Sequence, residues 1–194
     1  MERKILMTLL AAAVPLFSVL LCSPGAAFAA TGQAPQKALV AYFSWSGNTR
    51  EAADLIHQRV GGDLFEIKVA EPYPAEYRAC TEKAKQEQND NARPALSTGV
   101  ADIGAYDVVF IGYPNWWGTL PMALFTFLEQ YDFSGKKIVP FCTHEGSGLG
   151  RSVQDIARLC PNATILDGLA IRGSGVKSAE NNVATWLTGL GMTR

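Results

Sequence analysis

The chain has 194 residues, 48% of them hydrophobic, which is enough for one domain with a substantial core. Its formal net charge of −1 leaves no basic footprint for nucleic acid and no strong acidic field for steering toward basic partners. Cys80, Cys142 and Cys160 are too widely spaced for a zinc motif, so no metal site is expected.

Arg3 and Lys4 precede an apolar run from Ile5 to Cys22, and small residues then lead to Ala27-Phe28-Ala29. This pattern predicts a signal peptide over residues 1–29, cut before Ala30. The expected location is therefore exported, periplasmic or otherwise extracytoplasmic, with an uncleaved N-terminal membrane anchor as the alternative. Cleavage would leave no stable membrane insertion. Bulky Leu21 before Cys22 argues against a lipoprotein. Removing Glu2, Arg3 and Lys4 takes away two positive charges and one negative, for a net charge of −2. In an oxidising compartment two of the three remaining cysteines could pair, and small buried fillers are the rival reading. Residues 30–36 read as a polar linker and 37–194 as the folded domain.

The first strand is predicted over Ala38–Phe43, ending in Ser44-Trp45-Ser46-Gly47-Asn48-Thr49 before a helix over Thr49–Val60. Free N–H groups and the dipole at such a helix start suit a phosphate. Ser44, Ser46, Asn48 and Thr49 can add side-chain donors, and Gly47 permits close approach. No Lys lies in the turn, so it is not a nucleoside-triphosphate loop. It suits a single terminal phosphate on a small cofactor, with plain helix capping as the competing explanation.

A second strand is expected over Asp63–Val69 and a helix over Ala75–Gln88. Tyr77, Cys80 and Ala84 form the predicted sheet-facing side of that helix. An irregular stretch follows from Asn89 to about Ala105, long enough to be either functional or mobile. The third strand, Asp107–Gly112, leads into Pro114-Asn115-Trp116-Trp117-Gly118 and a helix over Leu120–Gln130. Two adjacent Trp in a Pro/Gly loop suit stacking on a flat aromatic ligand, with one of them anchoring the loop. The fourth strand, Lys137–Cys142, opens into Thr143-His144-Glu145-Gly146-Ser147-Gly148 and a helix over Leu149–Leu159. Free N–H groups there can bind the carbonyls of a heteroaromatic ring. His144 is the candidate catalytic residue, against a simpler role as a hydrogen-bonding fixture. A last strand over Ala163–Ile171, open to division at Asp167-Gly168, precedes a helix over Ser178–Leu190. Apolar strands alternating with helices predict an α/β fold, a doubly wound parallel sheet with helices on both faces. Ligands bind such sheets beyond the carboxyl ends of the strands.

With these motifs in place, the chain resembles the flavodoxin family across Lys37 to Leu190. That family holds the phosphate of flavin mononucleotide (FMN) in a Ser/Thr-x-Ser/Thr-Gly-Asn-Thr turn, matched here by Ser44 to Thr49. The resemblance implies a five-stranded sheet in the order 2-1-3-4-5. It also implies that Pro114 to Gly118 and Thr143 to Gly148 hold the isoalloxazine ring. The implied function is an FMN-binding redox protein in electron transfer, with a redox protein as partner. The Thr143-to-Gly148 loop is also similar to the Thr-x-His-Gly-Gly segment of flavodoxin-like quinone reductases. That similarity implies the alternative, an FMN-dependent NAD(P)H:quinone-type oxidoreductase acting on a small quinone. An exported, nearly neutral chain departs from the cytoplasmic, acidic carriers of the family.

Overall fold

The apolar run at residues 38–43 forms β1 (Ala38–Tyr42), the middle of a parallel sheet, in a computed structural model that describes residues 36–193. The expected leader, and residues 30–35 of the linker, lie outside the described residues. Among the described residues no helix is long and apolar enough to cross a membrane.

In chain order β1 is followed by α1 (Asn48–Val60), β2 (Asp63–Glu66), α2 (Tyr77–Asn89), β3 (Val108–Pro114) and α3 (Met122–Gln130). Then come β4 (Lys137–His144), α4 (Ser152–Leu159), β5 (Thr164–Ile165), β6 (Leu169–Arg172) and α5 (Glu180–Gly189). The sheet order is β2-β1-β3-β4, with β5 and β6 sharing the outer edge of β4, and every pairing is parallel. This is the predicted doubly wound order, with its fifth position split in two.

The division falls where the sequence placed it, and β4 supplies the reason. Ile138 pairs with Ile165 but Phe141 pairs with Leu169, so the edge gains one residue on the way. Pro140 lies between them and turns its carbonyl oxygen toward Gly168. Proline has no N–H to donate on that side, so the ladder lapses and the extra residue is taken up there.

Side chains of β1 alternate as a pleated strand requires. Leu39, Ala41 and Phe43 join one core with Leu124, Phe127 and Leu128 of α3 and Ile156 of α4. Ala38, Val40 and Tyr42 join the other with Ala52, Ala53 and Ile56 of α1 and Val183 and Leu187 of α5. Cys80 and Ala84 are buried as expected, but Tyr77 is 71% exposed, so the predicted sheet-facing side of α2 stops short of it. Tyr77 begins the helix, and its ring lies against Trp45 instead.

The stretch after α2 guards the open edge of the sheet. Ala70 donates to the Ala95 carbonyl, Ser97 to the Lys68 carbonyl, and Val69 bridges Leu96 in antiparallel fashion. The cover begins where β2 ends and blunts an edge that could otherwise pair with another chain. Cys80, Cys142 and Cys160 are free and buried.

Candidate functional site

The loops after β1, β3 and β4 converge at the carboxyl edge of the sheet, and a fourth, after β6, closes around them. The β1 turn enters α1 through Gly47, whose φ of 94° is left-handed and whose carbonyl accepts from Glu51. Ser44 Oγ accepts the N–H groups of Gly47 at 3.2 Å and Arg50 at 3.3 Å, which shapes the turn from inside. The N–H groups of Asn48 and Thr49 find no acceptor among the described residues. Free donors of this kind at a helix start suit an anion such as a phosphate.

The side chains of the turn divide into two sets. Thr49 is buried, and its hydroxyl meets that of Thr143 at 2.8 Å. These two residues therefore tie α1 to β4, and of the pair only the accepting hydroxyl keeps an O–H to donate. Trp45 donates its indole N–H to the Pro74 carbonyl at 2.9 Å and so belongs to the loop after β2. Ser46 is exposed and Asn48 half-buried, and these two side chains remain open at the turn.

After β3, Trp116 and Thr119 exchange N–H···O bonds of 2.8 and 3.1 Å around Trp117 and Gly118. With φ of 52° and 82° at the two central residues, the turn is of the type I′ kind. Such a φ is ordinary for glycine and costly for tryptophan. The strained residue is held by α2: its indole N–H donates to the Thr81 carbonyl at 3.0 Å, and Lys85 lies 5.2 Å from its ring centre. The two tryptophans thus separate by role. Trp116 is the anchor, edge-on to Phe43 and Tyr73, while Trp117 is 51% exposed.

Asn115 locks this loop to the next one. Its N–H donates to the Thr143 carbonyl at 2.8 Å and its Nδ2 to the Gly148 carbonyl at 2.6 Å. Its Oδ1 is buried without a donor. The N–H of Arg151 donates to the Gly118 carbonyl at 2.8 Å, a second tie between the loops. Pro114, in register with Thr143, ends β3 at this junction. His144 Nδ1 accepts the Gly146 N–H at 2.9 Å, which fixes the proton of the neutral ring on Nε2. Glu145, Gly146 and Ser147 are exposed around it.

The fourth loop carried no signal strong enough to mark it as part of the site. Register pairs His144 with Arg172, so Gly173 arrives beside the β4 loop. A Cβ on Gly173 would stand 2.5 Å from Asn48 Nδ2 and 2.5 Å from Glu145 Oε1. Gly173-Ser174-Gly175 at the end of the last strand was the available clue. Tyr73 was also missed. Burial, and then the 2.6 Å bond its hydroxyl gives Glu87, push its ionisation well above the ordinary phenol range.

The family model for flavodoxin matches residues 37–190. The chain belongs to the flavodoxin family. The chain is 36% identical to a candidate flavoprotein of Bacteroides eggerthii, over 77% of its own length and 98% of that chain, with a TM-score of 0.65. It is 31% identical to one of Bacteroides uniformis, over 79% and 98%, with a TM-score of 0.71. A flavoprotein of Lactobacillus acidophilus solved in complex with FMN is 26% identical over 74% and 97%, with a TM-score of 0.63. No curated protein matches the flavodoxin chain significantly.

Proposed function

We propose that the protein binds FMN non-covalently across the loops after β1, β3, β4 and β6 and serves in electron transfer to a redox protein. The observation that carries this reading is the pair of unpartnered N–H groups of Asn48 and Thr49 at the start of α1, on the same edge as the Trp117 turn and the glycine-rich β4 loop. The FMN complex of the Lactobacillus acidophilus relative supports it.

FMN, when bound, supplies the redox chemistry, and the protein supplies binding and electrostatics. The Asn48 and Thr49 N–H groups, with Ser46 and the Asn48 amide, hold the phosphate. The exposed ring of Trp117 offers a stacking face. The Gly146 N–H is spent on His144, so the N–H groups of Ser147 and Gly148 are left to meet ring carbonyls, and Asn115 Oδ1 is a spare acceptor in the same junction. Thr49, Thr143, Ser44 and Trp45 fix these groups from behind. His144, with its proton on Nε2, is a fixture of the β4 loop. The same residue supports the second reading, a quinone-type reductase, because an imidazole N–H in this loop could be directed at a small acceptor. The leader-like residues 1–29 support export.

The test is a fluorescence titration with FMN and with riboflavin, which lacks the phosphate. FMN is expected to bind at least 100-fold more tightly, a difference of about 2.7 kcal/mol. Equal affinities would remove the phosphate turn from the reading. Mixing the loaded protein with NADH or NADPH and a quinone then separates carrier from reductase. A carrier shows no sustained nicotinamide oxidation.

A further inference from the structure

On the far side of Ser44 and Trp45, between the carboxyl ends of β1 and β2, lies a cavity of about 530 Å³. It is separate from the loops after β3, β4 and β6. The divider is a triangle of edge-on rings, with Phe43–Tyr73 centres 5.7 Å apart, Phe43–Trp116 5.6 Å and Tyr73–Trp116 5.0 Å. Phe43 and Tyr73 face the cavity, and Trp116 belongs to the β3 turn. Trp45, held by the Pro74 carbonyl, supplies a third aromatic wall. The volume suits a small organic ligand, which such sites usually bury against apolar walls and orient with a few polar groups.

The polar wall has a definite sign. Glu66 takes Arg50 on one carboxylate oxygen and Lys68 on the other, the latter at 3.2 Å. Burial alone would raise its ionisation, but hydrogen bonds from these two cations hold it below the usual carboxylate range. Arg50 stands outside the wall and offsets Glu66, which leaves Lys68 as the uncompensated charge of the wall itself. Lys68 has three donors, is 59% exposed, and spends one contact on Glu66. Ser44 Oγ already accepts two backbone N–H groups, so its O–H is left to donate.

We propose that this cavity binds a small flat aromatic carboxylate, its ring against Phe43, Trp45 and Tyr73 and its charge on Lys68 and the Ser44 hydroxyl. A cationic aromatic would meet the Lys68 charge, and a neutral one would leave it unused. Ring contacts supply the affinity and a charge-assisted hydrogen bond the selectivity. The cavity backs onto the phosphate turn through Ser44 and Trp45, but the loops after β3, β4 and β6 contribute none of its walls, so it can be filled with or without FMN.

The experiment titrates 2-naphthoate, 2-naphthamide and 2-naphthylmethylammonium into the protein with and without FMN, read by tryptophan fluorescence and by NMR shifts. One equivalent of 2-naphthoate is expected to saturate the protein, at least tenfold more tightly than the amide, with no binding of the cation. Lys68→Gln, a surface change, should weaken 2-naphthoate about tenfold and leave FMN affinity unchanged. Tyr73→Leu should weaken all aromatic binding. Absence of saturation, equal affinity for acid and amide, indifference to Lys68→Gln, or displacement of FMN by 2-naphthoate would each overturn the proposal. The naphthoate titration reads out whether or not FMN binds, so failure of the FMN reading is seen separately.

Discussion

An added methyl group at Gly173 would sit 2.5 Å from the Asn48 amide nitrogen and 2.5 Å from a Glu145 carboxylate oxygen. Both neighbours are ends of flexible side chains, so the chain can absorb Gly173→Ala by swinging them aside. The expected cost to folding is small, within ~1 kcal/mol. The cost to binding is larger, because Asn48 is one of two turn side chains left open for the phosphate. FMN affinity should fall about tenfold, or about 1.4 kcal/mol, in a fluorescence titration. Unchanged affinity would exclude the Asn48 amide from the binding surface. Trp117 makes a related point. A tryptophan at a φ of 52° costs about 1–3 kcal/mol relative to a relaxed residue. Glycine would make the same turn without that cost. The indole is retained there with its N–H on Thr81, Lys85 over its ring and half its surface in solvent. Strain of this kind persists at sites where the side chain has a use.

The first helix and the fourth strand are joined by one buried hydroxyl pair, Thr49 and Thr143. Thr49→Val strands the Thr143 hydroxyl in a dry position and should cost about 1–3 kcal/mol in urea unfolding. Replacing both removes the polar groups together. The double variant should therefore cost clearly less than the sum of the single ones, with a coupling of about 1 kcal/mol or more. Additive costs would mean that each hydroxyl finds another partner. The pair also shows how far the sequence carries. Ser44 to Thr49 and Thr143 to Gly148 were legible as candidate ligand loops from hydroxyls and glycines following apolar strands, with helix capping as the rival for the first. That Thr49 and Thr143 spend their side chains on each other was not, because the pairing spans 94 positions in the chain. Strand type and order were equally legible, from near-continuous apolar runs at β1, β3 and β4. The ends of α2 were less so. Tyr77 has the right spacing for the sheet face but precedes the turn at which the helix meets the core. The Gly173 loop showed only as a glycine pair after the last strand, because its place in the site depends on β6 lying beside β4, one residue out of step after Pro140.

At the scale of the whole molecule, three buried thiols, joined from about pH 10 by the buried tyrosines Tyr42, Tyr73 and Tyr113, lower stability on the alkaline side. Burial raises Cys80 and Cys160 to about 11 and Cys142 to about 12, from an ordinary thiol value of 9.0. Their folded ionisation therefore lies above the unfolded one. The stabilising contribution is complete below pH 9, where both states keep the proton. Above that point the unfolded chain ionises first while the native thiols remain protonated. The native state then binds more protons, and stability falls as pH rises, until the folded thiols ionise at about 11 to 12. Each thiol contributes a slope of roughly 1.4 kcal/mol per pH unit inside that window. The carboxylates act at the other end. Glu129, held low by Arg93, loses its contribution only as pH drops through its depressed folded value. Between the two limits stability should be flat. Urea unfolding of the FMN-free protein at pH 8, 9 and 10 should show a plateau and then a steep decline. Cys160→Ala should lower the starting stability, because it opens a small cavity, yet reduce the decline between pH 9 and 10 by about one quarter. A slope unchanged by that substitution would mean that the thiol titrates alike in both states, and that another group sets the alkaline limit.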